Sequence, residues 1–428
     1  MEDLSTKFER VGAGYIYTKK IHGHTVEASI SRVKESSDRV KAEVGIVVNG
    51  MPIARSNPVL TSVSGLDSFW RKLARRLPQT DWQIDWESYV EQLAARVIDS
   101  HREGDPELEL SSVQIPTTVA WQIEPMLLAG QANVLFGPGG SGKSMIGLWF
   151  SVLMDTAHVD TQHALTVKPG RVLYLDWETD SIEIASRVRD LQNGMNLNGR
   201  KTGIIYRRCN QSLAQEADRI KDIIDKYKID MLVIDSLGLA TGGGLDEAES
   251  VLEYFAALRW LGGTSLTITH TNKEGHLFGS VYTLNCGRSI WEVKKHGGDE
   301  DAIDVGLWHR KVNIVGKQKP QAFGMEFLDG SIVISAKDPM ESEVVAEGLS
   351  VPELVYQIVA REAPVERGIL AERVAMYRGE AESGNLKASV STAITRHINA
   401  GRLVNENGLL NIHKESDDEP KEGEWTLL

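Results

Sequence analysis

The octapeptide Gly-Pro-Gly-Gly-Ser-Gly-Lys-Ser at 137–144 holds the residues whose spacing speaks most directly of chemistry. It fits the pattern G-x-x-x-x-G-K-[S/T] and lies between a strand-like run, "ANVLFG", and an apolar run of helical length. Gly137, Gly139, Gly140 and Gly142, with Ser141 among them, let backbone amides turn inward on phosphate oxygens. The helix that starts there adds the positive end of its dipole. Lys143 is then placed to reach the β- and γ-phosphates of ATP, and Ser144 to ligate Mg²⁺. A phosphate loop needs a carboxylate for the magnesium shell, and "MLVID" ends an apolar strand in Asp235. Hydrolysis also needs a group that orients water. "VLYLDWETD" offers Asp176, Glu178 and Asp180 after another strand, and Glu178 is the expected base.

Such residues need a sheet to hold them. From about 115 to 338 apolar runs ("ANVLFG", "RVLYLDWE", "GIIYR", "DMLVIDS", "SLTITH") alternate with helical segments, which predicts an α/β core with a mostly parallel sheet and helices on both faces. "DVGLWHRKV" and "FGMEFLDGSIVISA" predict an antiparallel addition at its end. Before the core, 10–60 reads as short strands and is followed by helices at 66–77 and 86–101, giving a small α+β domain. The polar stretch 102–112 reads as a linker. After the core come three helical segments and a strand, Asn-Gly turn and strand, a pattern similar to a winged helix. The expected units are therefore 1–104, a linker at 105–118, the ATPase domain at 119–340, a winged-helix-like domain at 350–413, and a disordered acidic tail at 414–428.

The order of phosphate loop, "DWE", "VIDS", "ITHTNK" and "GSVYTLNCGRSIW" resembles RecA-like P-loop ATPases. Within them it is similar to the ring-forming, hexameric replicative helicases of the RepA type. The resemblance covers roughly 120–335, and it implies roles for residues that spacing alone does not assign. His270 would sense the γ-phosphate. Arg288, nine residues after Gly279 and followed in the pattern by Lys311, Asn313 and Gly316, would reach the nucleotide of a neighbouring subunit. Lys311 reads equally well as a second such finger or as a surface charge. The loops after these strands would meet single-stranded DNA: 239–249 is flexible but acidic, while 272–280 carries Lys273 and His276 beside Phe278.

Composition sets the bounds around that site. A net charge of −13 excludes a chain coated in basic residues, so any DNA contact must be concentrated. In the winged-helix-like unit Lys387, Arg396 and Arg402 are the candidates, although such units also dock proteins. The basic face at 71–76 reads as a solvated helix face, and His22 and His24 lack the companions a metal site needs. Two cysteines without a CxxC pair, a charged start and no apolar run of membrane length predict a cytoplasmic protein with no membrane partner. The expectation is an ATP- and Mg²⁺-dependent DNA helicase or translocase acting in replication as a homo-oligomer. The alternatives are a non-unwinding DNA-stimulated ATPase and an ATP-switched DNA-binding initiator.

Overall fold

The computed structural model describes residues 6–413, apart from 12–13, 105–106, 115, 158–164, 273–276, 278, 280, 300, 341, 343–344, 346–347 and 380. Strands β1 (Thr6–Val11), β2 (Gly14–Ile21), β3 (His24–Ser36), β4 (Arg39–Val48) and β5 (Met51–Ser56) pair in sequence order as an antiparallel meander. They are longer than the short strands the sequence suggests. Alternation along β4 buries Val40, Ala42, Val44, Ile46 and Val48 on one face. Helices α1 (Val63–Arg76), α2 (Gln79–Trp82) and α3 (Trp86–Glu103) follow. Phe69 and Leu73 of α1 join Trp86, Tyr89 and Leu93 of α3 in the core beneath that face. Ser62 and Asp85 start the two long helices by accepting from Gly65 N and Ser88 N. The basic face of α1 is partly engaged, since Lys72 and Arg76 donate to the carbonyls of Arg55 and Ile53 in β5.

The central sheet has nine strands in the order β11-β10-β12-β13-β8-β14-β15-β16-β17. These are β8 (Ala132–Gly137), β10 (Val172–Asp176), β11 (Ile205–Arg208), β12 (Met231–Asp235), β13 (Thr264–His270), β14 (Ser289–Asp299), β15 (Ala302–Val312), β16 (Gln321–Leu328) and β17 (Ser331–Lys337). β8, β10, β11, β12, β13 and β14 run parallel, and β15 to β17 are antiparallel. Two short strands before β8, β6 (Trp121–Glu124) and β7 (Leu127–Leu128), pair with β9 (Thr166–Val167) in a small separate sheet. Helices α4 (Lys143–Thr156), α5 (Ser181–Gly194), α6 (Leu213–Tyr227), α7 (Leu237–Ala240), α8 (Ala248–Leu261) and α9 (Val281–Cys286) connect the core strands. The apolar run at 145–154 is α4, buried on nearly every side beneath the sheet. Among the described residues no helix is long and apolar enough to cross a membrane.

β14 is the core strand that the apolar pattern does not announce. Its buried run Ser289–Val293 includes Ser289 and Glu292 and is followed by exposed Lys294 and Lys295, so its apolar stretch is too short to stand out.

The last unit contains α10 (Val351–Glu362), β18 (Val365–Glu366), α11 (Leu370–Tyr377), α12 (Gly384–Asn399), β19 (Leu403–Glu406) and β20 (Leu409–Ile412), with strand order β18-β20-β19. α10 begins with a capping box in which Ser350 and Glu353 satisfy each other's backbone N–H groups. The apolar cluster of this unit includes Trp308 and Ala322, so it is seated on β15 and β16 of the central sheet.

Candidate nucleotide site

Parallel pairing brings four strand ends to one edge of the sheet. The register sets Asp176 of β10 beside Asp235 of β12, and His270 of β13 beside Gly137 of β8. That carboxyl edge is where open parallel sheets hold ligands. The loop leaving β8 is shaped by two constraints that only glycine meets. A β-carbon at Gly137 would lie 2.3 Å from the carbonyl oxygen of Val293. Gly142 has φ 83°, in the left-handed region, and serves as the N-cap of α4.

Lys143 folds back over this loop. Its Nζ donates to the carbonyls of Gly137 (2.9 Å) and Pro138 (2.6 Å), positions from which phosphate oxygens can take over the ammonium. Burial pushes Lys143 down to about 8, while the carboxylates of Asp235 and Glu178 pull the other way. Asp235 is buried, and desolvation raises it. It accepts from Tyr174 Oη at 2.7 Å and is also hydrogen-bonded by Ser144, the hydroxyl assigned to the metal by the loop pattern. The Ser144 hydroxyl beside the buried Asp235 carboxylate is an oxygen donor pair that fits Mg²⁺.

The three acids after β10 separate by their hydrogen bonds. Asp176 is buried and accepts from the backbone N–H groups of Glu178 (2.9 Å) and Thr179 (3.0 Å), from Thr179 Oγ1 (2.5 Å) and from Tyr206 Oη (3.0 Å). Asp180 caps α5 by accepting from Ile182 N and Glu183 N. Glu178 is left facing the site. Its carboxylate accepts from Ser236 Oγ and stands 3.9 Å from His270 Nε2, with its side chain 40% exposed. Asp176 therefore fixes the turn that aims Glu178, a positioning role visible only once Tyr206 and Thr179 are seen to converge on it. Lys295 of β14 also approaches the loop: a β-carbon at Gly140 would be 3.8 Å from its Nζ. No motif marks it.

Residues 105–276 match the family model described as AAA domain. The matched stretch carries the phosphate-loop pattern at 137–144 together with Asp235 and His270. No curated protein matches the sequence. Among solved structures, a KaiC-like protein from the hyperthermophilic archaeon Pyrococcus horikoshii OT3 is 14% identical, with 51% of this chain and 99% of that chain covered at a TM-score of 0.37.

The core does not gather every candidate at this edge. Arg288 is exposed at the start of β14, where its backbone N–H donates to the carbonyl of Ala132 at 2.8 Å. Ala132 begins β8 and Gly137 ends it, so Arg288 stands about 16 Å from the loop along the strand, beyond the span of its side chain. Lys311 has a defined partner set: Nζ donates to the carbonyls of Leu284 (2.6 Å), Asn285 (3.0 Å) and Gly287 (2.9 Å) at the end of α9. With Asn313 N donating to the Arg288 carbonyl at 3.2 Å, it holds the segment that bears Arg288. Lys273, His276, Phe278 and Ser280 lie outside the described residues. The neighbouring Gly279 has φ 102°, and a β-carbon there would meet the Leu245 carbonyl at 2.8 Å, so the loops at 239–249 and 272–280 touch. Lys387 pairs with Glu382 at 2.9 Å on the last unit, and Arg396 is exposed in the final turn of α12. Arg402 turns instead into a cleft shared with the core.

His309 ties the Arg288 end of the sheet together. Its ring stacks on Trp291 at 4.3 Å, its Nδ1 accepts from Gln318 N (3.0 Å), and its Nε2 meets Ser289 Oγ at 3.0 Å. Burial, helped by the charge of Lys317, pushes His309 down to about 4. Below pH 6.5 the unfolded chain takes up a proton at this position, whereas the folded chain does not until about pH 4. Stability present above pH 6.5 is therefore lost as pH falls toward 4. Between pH 7.5 and pH 5 we expect a loss of about 2 kcal/mol from this residue. Denaturant melts at the two pH values check it: the difference should shrink in His309→Gln, and an unchanged difference would exclude the assignment.

Proposed function

We propose that this chain is a ring-forming ATPase that acts on DNA, most simply a helicase or translocase of replication. The observation that supports this reading is the split site. The catalytic edge carries Lys143, Ser144, Asp235, Glu178 and His270, while the exposed Arg288 sits at the far end of the same sheet. Arg288 can complete a nucleotide site only on another subunit, so hydrolysis is tied to assembly.

In this reading Lys143 leaves its loop carbonyls for the β- and γ-phosphates. Ser144 and Asp235 would hold Mg²⁺, which when bound would supply neutralisation of phosphate charge. Glu178 orients the attacking water and accepts its proton, with Ser236 fixing one carboxylate oxygen. His270 faces Glu178 and stands at the head of the 272–280 loop, so loss of the γ-phosphate is felt where DNA would be held. Lys273 and His276 are the proposed single-strand contacts. The winged-helix-like unit presents Lys387 and Arg396 on the exposed side of α12 as contacts for duplex DNA.

The test combines ATP turnover with and without single-stranded DNA and strand displacement on a forked duplex. DNA-stimulated hydrolysis with displacement is expected. Stimulation without displacement would replace the helicase reading with a non-unwinding ATPase, and binding lost with residues 342–428 would favour the initiator reading.

A further inference from the structure

A second cleft, of about 930 Å³, lies between β15 to β16 of the core and the helices of the last unit. Its lining includes none of Lys143, Ser144, Asp176, Glu178, Asp235 or His270. Its lining is strongly basic for a chain of net charge −13: Arg310, Lys317, Lys319, Arg378 and Arg402 face it, against one carboxylate, Glu353. That carboxylate is already held by the Ser350 backbone and hydroxyl in the capping box of α10. Arg310 is paired with Glu292 through Nε at 2.6 Å. No carboxylate among the described residues pairs with Lys317, Lys319 or Arg402, and both lysines are exposed on the 313–320 connection. Two rings stand in the wall. Trp308 is flanked by Arg310 and Lys294 at 5.7 and 5.4 Å from its ring, and Tyr356 is half-buried against His397.

The geometry points to this cleft as a binding track for a single-stranded DNA segment, with Lys317, Lys319 and Arg402 on its phosphates and Tyr356 available to a base. Cations spaced along a groove with an aromatic ring in its wall form the composition that follows a sugar-phosphate backbone without reading sequence. The concentration of charge also answers how an acidic chain would meet a polyanion. The cleft is built from both units, so a strand in it would bridge the ATPase core and the terminal unit. Through Gln318 N on His309 and His309 on Ser289, the lysine-bearing connection joins the residue next to Arg288.

The inference rests on the DNA reading of the core, and the experiment separates the two. Fluorescein-labelled oligothymidylate is titrated by anisotropy, with a non-hydrolysable ATP analogue present, across a salt series. Lys317→Ala/Lys319→Ala is expected to bind at least tenfold more weakly, and to lower the slope of log affinity against log salt by about 1.4, since each single-strand phosphate contact contributes about 0.7. Lys317→Arg/Lys319→Arg should restore both. Thermal melting confirms that the variants fold, and Arg402→Ala gives a second, independent reading. Wild-type affinity and slope in the alanine variant would overturn the cleft and leave the core reading standing. No binding by the wild-type chain would overturn both. Equal losses on a duplex of the same length, with the single strand bound no better, would also overturn the single-strand assignment.

Discussion

Glu178→Gln is expected to bind ATP as the wild type does and to turn it over roughly 10²–10⁴-fold more slowly, the range a positioned general base supplies. The substitution keeps the size of the side chain and its ability to accept from Ser236 Oγ, so the local frame should persist. What it removes is the negative charge facing the site beside His270. The neighbouring acids cannot substitute. Asp176 is saturated by the turn it holds, and Asp180 is spent on the start of α5. Asp176→Asn should act differently, since it weakens the hydrogen bonds that aim residue 178 rather than the base itself. A fluorescent ATP analogue measures binding, and single-turnover hydrolysis measures chemistry. Hydrolysis within about threefold of wild type in Glu178→Gln would move the base elsewhere in the site. Loss of analogue binding would mean that Glu178 helps hold nucleotide instead.

The phosphate loop and its partner strands were legible because each pairs a buried, β-rich run with a polar residue at its end. "MLVID" and "SLTITH" need no tertiary information to be read as strands whose last residue reaches the sheet edge. Relations between distant elements were not legible. Nothing in "VLYLDWETD" says that Tyr206, thirty residues on, would saturate Asp176 and leave Glu178 exposed. Lys311 illustrates the same limit: the resemblance leaves it a finger or a surface charge, whereas the fold gives it the carbonyls of Leu284, Asn285 and Gly287 at the end of α9. Trp308 lies in the strand-like run "DVGLWHRKV", yet it belongs to the apolar cluster of the terminal unit and lines the basic cleft. The "KQKP" turn at 317–320 carries no motif, and the helices that form its opposite wall begin more than thirty residues later.

Arg288→Ala should leave nucleotide binding and the fold intact while hydrolysis falls by roughly 10³–10⁵, the contribution of an arginine supplied to a transferring phosphoryl group. The expectation follows from position. Arg288 is exposed beside Ala132, at the end of β8 away from the loop, so its removal takes nothing from the pocket of its own subunit. Mixing separates action in trans from action within one chain. Lys143→Ala chains keep Arg288 but lose the phosphate lysine, and Arg288→Ala chains keep an intact loop. Each is expected to be inactive alone, and mixed assemblies should recover turnover wherever an intact loop meets an intact arginine. Recovery should vanish on dilution below the assembly concentration. Lys311→Ala, which frees the end of α9 from its cation, should reproduce part of the Arg288→Ala defect and show no recovery beyond it when both changes share one chain. Turnover by Arg288→Ala alone at the wild-type rate would remove the trans arginine, and with it the reason for tying hydrolysis to a ring.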